Sequence, residues 1–496
     1  MKNSTAKRQD TIAKQQRKAN PTPLCVDLDN TLVNTDTLFE TAIAAVKINP
    51  FYFFVIPYIL FTKGMPYLKS WLCTKTPSFD YSTLPINQKV LSYLEEQRES
   101  GRKIYLVTGA NRVVGEAVYQ KYEHLFDHVY SSSDTLNLIG DNKAEFLLKL
   151  FGHGGFDYIG DSGHDLAVWK HAQNALVVGN SYSFIERAKQ MTDVSEVFTL
   201  EQKPRFKTIL RMMRVHQWSK NVLIFFPMVL ANAVTVENII FTVLAFAAFS
   251  LCASAIYIVN DLMDLSSDRR HPTKCNRPIA RGDVQIFSAA KYFVAILAAS
   301  FVLAATTLPL GFTVLLSAYL VLTLSYSLKL KHMAIVDVLT LAGLYTMRLY
   351  AGAICTGVEL SAWLLAFTGF LFLSLSLLKR NSELVMYAAS QEKDNSNRAY
   401  TSQDLPFVGA LGISCGLITV VVFSLYINTD LVKNTYTNPY MLWAICPIMI
   451  YAVSKYWMLS SRNQITNDPV LFAIKDKSSY VIILAMAAIW LFARGI

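Results

Sequence analysis

The chain has 496 residues and a formal net charge of +10, with 53% apolar and only 17% charged residues. Soluble proteins carry about 25% charged residues, so a single small soluble domain is excluded. Much of the positive charge lies at the ends of apolar segments, which argues for a membrane and against nucleic acid as its partner.

Residues 1–20 are basic and lack an apolar core, so they are expected to be a disordered tail rather than a secretory signal. Up to about residue 215, apolar and charged segments alternate as in a soluble domain, and from Asn221 onward long apolar stretches dominate. The domain boundary is therefore expected within 200–215. The seven cysteines (Cys25, Cys73, Cys252, Cys275, Cys355, Cys415 and Cys446) are scattered and form no CxxC pair. They read as free thiols of a reducing compartment, with no metal cluster.

Three short apolar strands in the soluble half end in polar turns: LCVDLDNTL (24–32), KIYLVTGAN (103–111) and YIGDSGHD (158–165). In an open α/β sheet, sites form beyond the carboxyl ends of the strands, so the three ends are predicted to build one polar pocket. A carboxylate nucleophile attacking a phosphate needs a cation such as Mg2+ to offset the charge repulsion. A second carboxyl two residues on is placed to protonate the leaving oxygen and then activate water. A hydroxyl and a lysine suit the phosphoryl oxygens, and Lys143, in DNKAEFL, suits the lysine role.

These segments resemble the haloacid-dehalogenase-type phosphatases, whose DxDxT, Thr/Ser, Lys and GDxxxD elements are matched in order over about 200 residues. The resemblance implies a Rossmann-like α/β domain over 21–200. It implies Asp27 as nucleophile, Asp29 as acid/base, and Thr108 and Lys143 as phosphate ligands. Asp161 joins Asp27 and Asp29 as a Mg2+ ligand, with Asp165 in support. Asn30 stands where many members have Gly. The insertion after the first motif, about 37–98, would be the cap that sets substrate choice. Its apolar run at 42–61 approaches the length of a span, but a single crossing would separate motifs that must meet, and Lys47, Pro50 and Pro57 interrupt it. A cap helix pair is expected, lying on the membrane surface or buried within the cap.

Nine membrane helices are predicted at about 219–235, 237–259, 288–307, 311–329, 333–356, 361–379, 405–428, 437–459 and 476–495. Alternate loops collect nearly all the Lys and Arg residues, so the basic side is expected to be cytoplasmic, with the soluble domain and the site loops on it. Nine crossings would leave the C-terminus outside. An integral protein of the inner, cytoplasmic membrane is expected.

The second span runs into IYIVNDLMDLSSDRRHPTKCNRPIARGDV (256–284). Asn260, Asp264 and Asp268 are spaced to share a helix face, with Asp261 at its edge. Carboxylates this dense at a membrane boundary need neutralising. Mg2+ prefers carboxylate and phosphate oxygens together, and the cations that follow suit further phosphates. A second polar cluster, Tyr326, Ser327, Lys329, Lys331 and Asp337, falls on the same side. Arg348 follows Asp337 by eleven residues, close to three turns, so both are expected to face the bundle interior as a charge pair or a substrate contact.

Over 205–496 the sequence resembles the UbiA superfamily of intramembrane transferases, whose signature is NDxxDxxxD. RVHQWSKNVLIFFP, DRRHPTKCNRPIARG, YSLKLKHMAIVD and KRNSEL are similar to decaprenyl-phosphate phosphoribosyltransferases. The resemblance implies that Asp261, Asp264 and Asp268 hold Mg2+ and diphosphate, oriented by Asn260. Lys274, Arg277 and Tyr326 would bind donor phosphates. Lys220, Lys329, Lys379 and Arg380 would serve the lipid phosphate or the 5-phosphate, with Asp337 also lining the site. The implied partners are phosphoribosyl diphosphate and a polyprenyl phosphate in the membrane, and homo-oligomerisation is left open. The fused phosphatase is expected to remove the 5-phosphate from the lipid-linked product. The alternative is an aromatic prenyltransferase using a prenyl diphosphate, beside a phosphatase acting on a separate soluble substrate.

Overall fold

The computed structural model describes residues 22–133, 135–199, 205–390, 399–465, 472–473 and 476–495; the tail expected at 1–20 lies outside them. The described chain forms two compact units. The first comprises the residues up to Met213 together with Tyr257–Phe293, and the second comprises Arg214–Ile256 with Val294 onward. The units therefore do not divide the chain at one point. The aspartate-rich segment that follows the first long apolar helix belongs to the first unit.

The first unit is built on six parallel strands: β1 (Leu24–Val26), β2 (Ile104–Asn111), β3 (His128–Ser132), β4 (Asp157–Gly160), β5 (Asn174–Val178) and β6 (Asp193–Phe198), in the order β3-β2-β1-β4-β5-β6. β1 pairs with β2 on one side and β4 on the other, with Val26 beside Leu106 and Ile159. Every residue of β1 is buried, as expected of a central strand covered on both faces. The period-two alternation of a strand sends Leu24 and Val26 into one core and Cys25 into the other, where it packs with Val107, Tyr158 and Trp169.

The insertion after the first motif forms a helix pair, Thr37–Ile48 and Tyr52–Lys75, followed by Gln88–Glu99. Asp36 caps the first helix by accepting from the Leu38 amide. The second bends at Gly64, whose φ of +78° is open to glycine at little cost.

Among the described residues, eight helices are long and apolar enough to cross a membrane: Val236–Met263, Ile286–Thr307, Leu310–Leu328, Val336–Thr356, Ala362–Met386, Ser402–Ile427, Pro439–Ser461 and Lys477–Arg494. Helix Tyr52–Lys75 is not among them. The segment expected as the first of nine spans is instead a 3-10 helix, Val215–Phe225, running into a short α-helix, Phe226–Leu230. Here Asn221 and Ile224 are buried, and Gly352 packs so closely that a Cβ on it would stand within 2 Å of the Ile224 carbonyl oxygen (1.9 Å).

Small residues close the helix packing elsewhere in the second unit, as membrane bundles require. A Cβ on Gly412 would meet the Trp457 ring at 2.2 Å, and the Ser374 hydroxyl donates to the Gly412 carbonyl at 2.7 Å.

Candidate functional site

The parallel pairing of β1 with β2 and β4 gathers Asp27, Thr108 and Asp161 at one edge of the sheet. Lys143, on helix Asp141–Phe151, places Nζ 2.8 Å from Asp27 Oδ1 and 2.8 Å from the Tyr158 hydroxyl. Tyr158 in turn donates to Asp165 Oδ1 at 2.9 Å. The other Asp165 oxygen accepts from the amides of Asp161 and Ser162 and from the Ser162 hydroxyl, at 3.1, 2.9 and 2.8 Å. Asp165 therefore holds the turn that presents Asp161. Gly160 must be glycine, because a Cβ there would lie 2.6 Å from Asp165 Cγ. Thr31 Oγ1 donates to Asp161 Oδ1 at 3.3 Å, and Thr108 Oγ1 accepts from the Ala110 amide at 2.9 Å. Asn30 takes a φ of +53°, a conformation asparagine tolerates better than most residues in place of Gly.

Asp27, Asp161 and Asp165 each offer a carboxylate oxygen within 4.8 Å of the other two, a spacing that suits one metal ion. Asp29 Oδ1 is turned instead to the Thr37 amide, 2.7 Å away, at the start of the cap. Burial raises the carboxyl of Asp27, against the pull of Lys143. Burial, with Asp36 and Asp27 nearby, pushes Asp29 up to about 7. Burial, with Asp165 and Asp27, pushes Asp161 up to about 8. For Lys143, burial opposes the charge, but Asp27 and Asp165 outweigh it and hold the amine above its usual range. The carboxylates outnumber this lysine, so the donor set fits a divalent cation.

The cap supplies a residue that motif reading missed. Lys69 is buried and donates to the Gly109 carbonyl at 2.5 Å and to Asn137 Oδ1 at 2.9 Å. It lines a cavity of about 20 Å³ with Asp29, Thr37 and Asn111, and burial lowers its pKa. The only sign in the sequence is a lysine, Lys69, set between Leu68 and the apolar Trp71, Leu72 and Cys73.

The aspartate-rich segment departs from a simple stripe. Helix Val236–Met263 ends before Asp264, whose φ and ψ of −97° and 10° break the helix ahead of a short one, Leu265–Arg270. The i to i+4 backbone bonds nonetheless continue through this point, from the Asp264 amide to the Asn260 carbonyl at 2.9 Å and from the Asp268 amide to the Asp264 carbonyl at 2.8 Å. Asp264 is partly exposed and lies 4.0 Å from Lys47. Asp261 and Asp268 are buried and share Arg277, whose Nη1 lies 3.1 Å from Asp261 Oδ1 and also donates to Asp268. Burial raises the Asp268 carboxyl, with Arg277 opposing. Among the described residues these three aspartates do not gather as closely as Asp27, Asp161 and Asp165 do. Asn260 Oδ1 is buried with no hydrogen-bond partner among the described residues, an orphaned acceptor of the kind a cation or donor group satisfies. Lys274 opens a 3-10 turn, Lys274–Asn276, just before Arg277.

This segment is tied to the cap. Arg269 makes a two-pronged pair with Glu40, at 3.1 and 2.5 Å, and donates through Nε to the Ala280 carbonyl at 3.1 Å. Both side chains are nearly fully buried, at 6% and 2% exposure. Thr35 also donates to Glu40, at 2.7 Å. Arg270 pairs with Asp80 at 2.8 Å, Gln285 donates to Asn30 at 3.2 Å, and Phe39 stacks on Phe287. A cavity of about 240 Å³ lies between cap and segment, lined by Glu40, Lys47, Asp80, Leu262, Ser266 and Arg270 among others.

In the second unit, Asp337 is buried against Arg380 Nε at 2.6 Å and the Tyr400 hydroxyl at 2.7 Å. Arg380 also pairs with Glu383 and reaches the Tyr326 hydroxyl at 3.4 Å. Asp337 and Arg380 thus stabilise each other. Arg348 is not the partner of Asp337: its Nε donates to Asn221 Oδ1 at 2.8 Å, and its guanidinium lies over the rings of Phe249, Tyr319 and Tyr345. Lys329 is exposed at the end of helix Leu310–Leu328, and Lys220 and Lys379 lie in the 3-10 segment and in helix Ala362–Ser390.

A bundle of apolar helices carrying an aspartate-rich loop, in one chain with a six-stranded parallel α/β unit that holds a lysine–carboxylate pocket, defines a two-part integral membrane enzyme. The chain belongs to the UbiA prenyltransferase family, whose model matches residues 221–475. It is 34% identical over 483 residues to an uncharacterised protein of Sinorhizobium fredii, covering 95% of this chain and 91% of that one. It is 30% identical over 292 residues to the decaprenyl-phosphate phosphoribosyltransferase of Corynebacterium glutamicum, covering 57% of this chain and 84% of that one. A UbiA homologue from Archaeoglobus fulgidus, solved with DMAPP and Mg2+, aligns over 57% of this chain and 98% of its own, at a TM-score of 0.43 and 18% identity.

Proposed function

We propose that the protein transfers 5-phosphoribose from phosphoribosyl diphosphate to a polyprenyl phosphate and then removes the 5-phosphate from the lipid-linked product. The observation that carries the pairing is the buried Glu40–Arg269 bridge, which binds the phosphatase cap to the segment bearing Asp261, Asp264 and Asp268. The phosphoribosyltransferase relatives support the first reaction. The enzyme is placed in the inner membrane with its basic loops on the cytoplasmic face.

In the transferase, Asp261, Asp264 and Asp268 are the ligands assigned to Mg2+ and the diphosphate, with the orphaned Asn260 oxygen beside them. Arg277 and Lys274 stabilise the diphosphate as it leaves. Tyr326, Lys220, Lys329, Lys379 and Arg380 are assigned to the remaining phosphates. The acceptor is a phosphate monoester with a second pKa of about 6, so it is largely dianionic at neutral pH and needs no strong base. Positioning and charge stabilisation carry the rate.

In the phosphatase, Mg2+ held by Asp27, Asp161 and the backbone-anchored Asp165 corner would offset repulsion between carboxylate and phosphate. Asp27 attacks phosphorus, and Lys143 and Thr108 hold the phosphoryl oxygens. Asp29, raised to about 7, is protonated often enough near neutral pH to donate to the leaving ribose oxygen. It then takes a proton from the water that cleaves the aspartyl phosphate.

Purified protein given radiolabelled phosphoribosyl diphosphate and decaprenyl phosphate is expected to release both diphosphate and inorganic phosphate. The Asp27→Asn variant is expected to accumulate the phosphorylated lipid. Identical lipid products from the two proteins, by mass spectrometry, would reject the second reaction. Transfer from a prenyl diphosphate in preference to phosphoribosyl diphosphate would reject the first.

A further inference from the structure

We propose that the first half of the long cap helix, residues 52–63, is embedded in the bilayer surface, so that the phosphatase cap rides on the lipid. Phe51, Phe54, Tyr58 and Phe61 are spaced to line one side of this helix, and they are 76%, 71%, 68% and 87% exposed. The opposite side is also apolar: Ile59 is buried with Ala45, Leu68 and Leu72, and Val55 and Ile56 pack against them. A helix apolar all round belongs in a protein core or in lipid. Here one side already has its core and the other is covered by no described residue of the chain.

Four observations point to lipid as the occupant. The apolar segment is twelve residues long and ends at Lys63, before the Gly64 bend, which is too short to span a bilayer but ample to lie in its interface. Lys63 Nζ lies 3.3 Å from the Tyr67 hydroxyl and 4.4 Å over its ring, the amphipathic pairing of a membrane–water boundary. The chain enters the helix beside the end of a membrane span: Lys47 lies 4.0 Å from Asp264, and Lys47 and Ile48 line one cavity with Leu262 and Met263. Aromatic rings and flanking lysines suit a surface of acyl chains under anionic headgroups. The same cap carries Lys69 to the rim of the Asp29 pocket, so the pocket is held where a phosphate on a polyprenyl chain is presented. That last consequence rests on the function proposed above; the membrane contact does not.

The test places p-benzoylphenylalanine at position 54, 61 or 182 of the full-length protein in vesicles of phosphatidylcholine and phosphatidylglycerol. Tyr182 is as exposed (76%) but lies on a polar helix of the same unit. Irradiation is expected to give phospholipid adducts at 54 and 61 and none at 182. Absence of lipid adducts at 54 and 61, or their capture of a second protein chain instead, would overturn the proposal. In a second arm, the Phe54→Ser/Phe61→Ser variant is expected to hydrolyse p-nitrophenyl phosphate as before, while its KM for the phosphorylated lipid rises about tenfold. Lipid adducts with an unchanged lipid KM would uphold the membrane contact and remove the lipid-linked substrate.

Discussion

Asp27, Asp29 and Asp161 illustrate what burial does to carboxylates that share one lysine. All three are pushed up, Asp29 to about 7 and Asp161 to about 8. A carboxyl whose folded pKa exceeds its unfolded value near 4 binds more protons in the native state. Its contribution to stability is complete below about pH 4 and is lost as pH rises through 7 to 8. A divalent cation binds the ionised form and competes with those protons. Added Mg2+ is therefore expected to raise the melting temperature more at pH 8 than at pH 5.5, and Asp161→Asn is expected to abolish the difference. Equal Mg2+ effects at both pH values would show that these carboxylates are not the metal site. That Asp27 and Asp161 come together was legible in the sequence, because a strand followed by a turn puts the acids at the strand end whatever the rest of the chain does, whereas the turning of Asp29 to the Thr37 amide was not. Lys69 was not legible, since its approach to the site depends on how the cap folds back.

At the scale of elements, the bridge between Glu40 and Arg269 joins a cap helix to a segment 229 residues away in sequence. Removing one partner of such a buried pair costs about 3–5 kcal/mol, because the other is left charged and unpaired. Glu40→Ala and Arg269→Ala are each expected to slow the proposed phosphoribosyl transfer and lower the melting temperature. The double variant is expected to lose less than the sum, by about 1–3 kcal/mol of coupling. Additive losses in a double-mutant cycle would show that the bridge does not tie the cap to the transferase segment. The helix pair of the cap was foreseeable from the prolines and from the two motifs that flank it. The i, i+4 spacing of Asn260, Asp264 and Asp268 is kept in the backbone bonds through Asp264, whereas the sharing of Arg277 by Asp261 and Asp268 could not be read from it. Likewise the pairing of Asp337 with Arg380, and of Arg348 with Asn221 and three rings, reflects which helices are neighbours, and periodicity within one helix carries no information on that.

At the scale of the whole molecule, the first unit needs two separate stretches of chain, the residues up to Met213 and Tyr257–Phe293. The cap and the aspartate-rich segment bury charge against each other, so neither stretch is complete alone. Protein expressed as two polypeptides split between residues 200 and 204 is expected to co-purify through a tag on the N-terminal piece, and Glu40→Arg is expected to weaken recovery. Independent elution of the pieces in the same detergent would show that the tether alone holds them. Composition and periodicity by themselves determined that this protein has a soluble α/β part and a membrane-helical part, and which motifs could carry phosphate chemistry, because those properties are local to each segment. The tertiary structure decided that the aspartate-rich segment of the second part folds with the first, that Val215–Phe225 is a 3-10 helix, and which cations face which acids. Those outcomes depend on buried pairs between residues far apart in the chain, whose cost or gain exists only once both partners have left water.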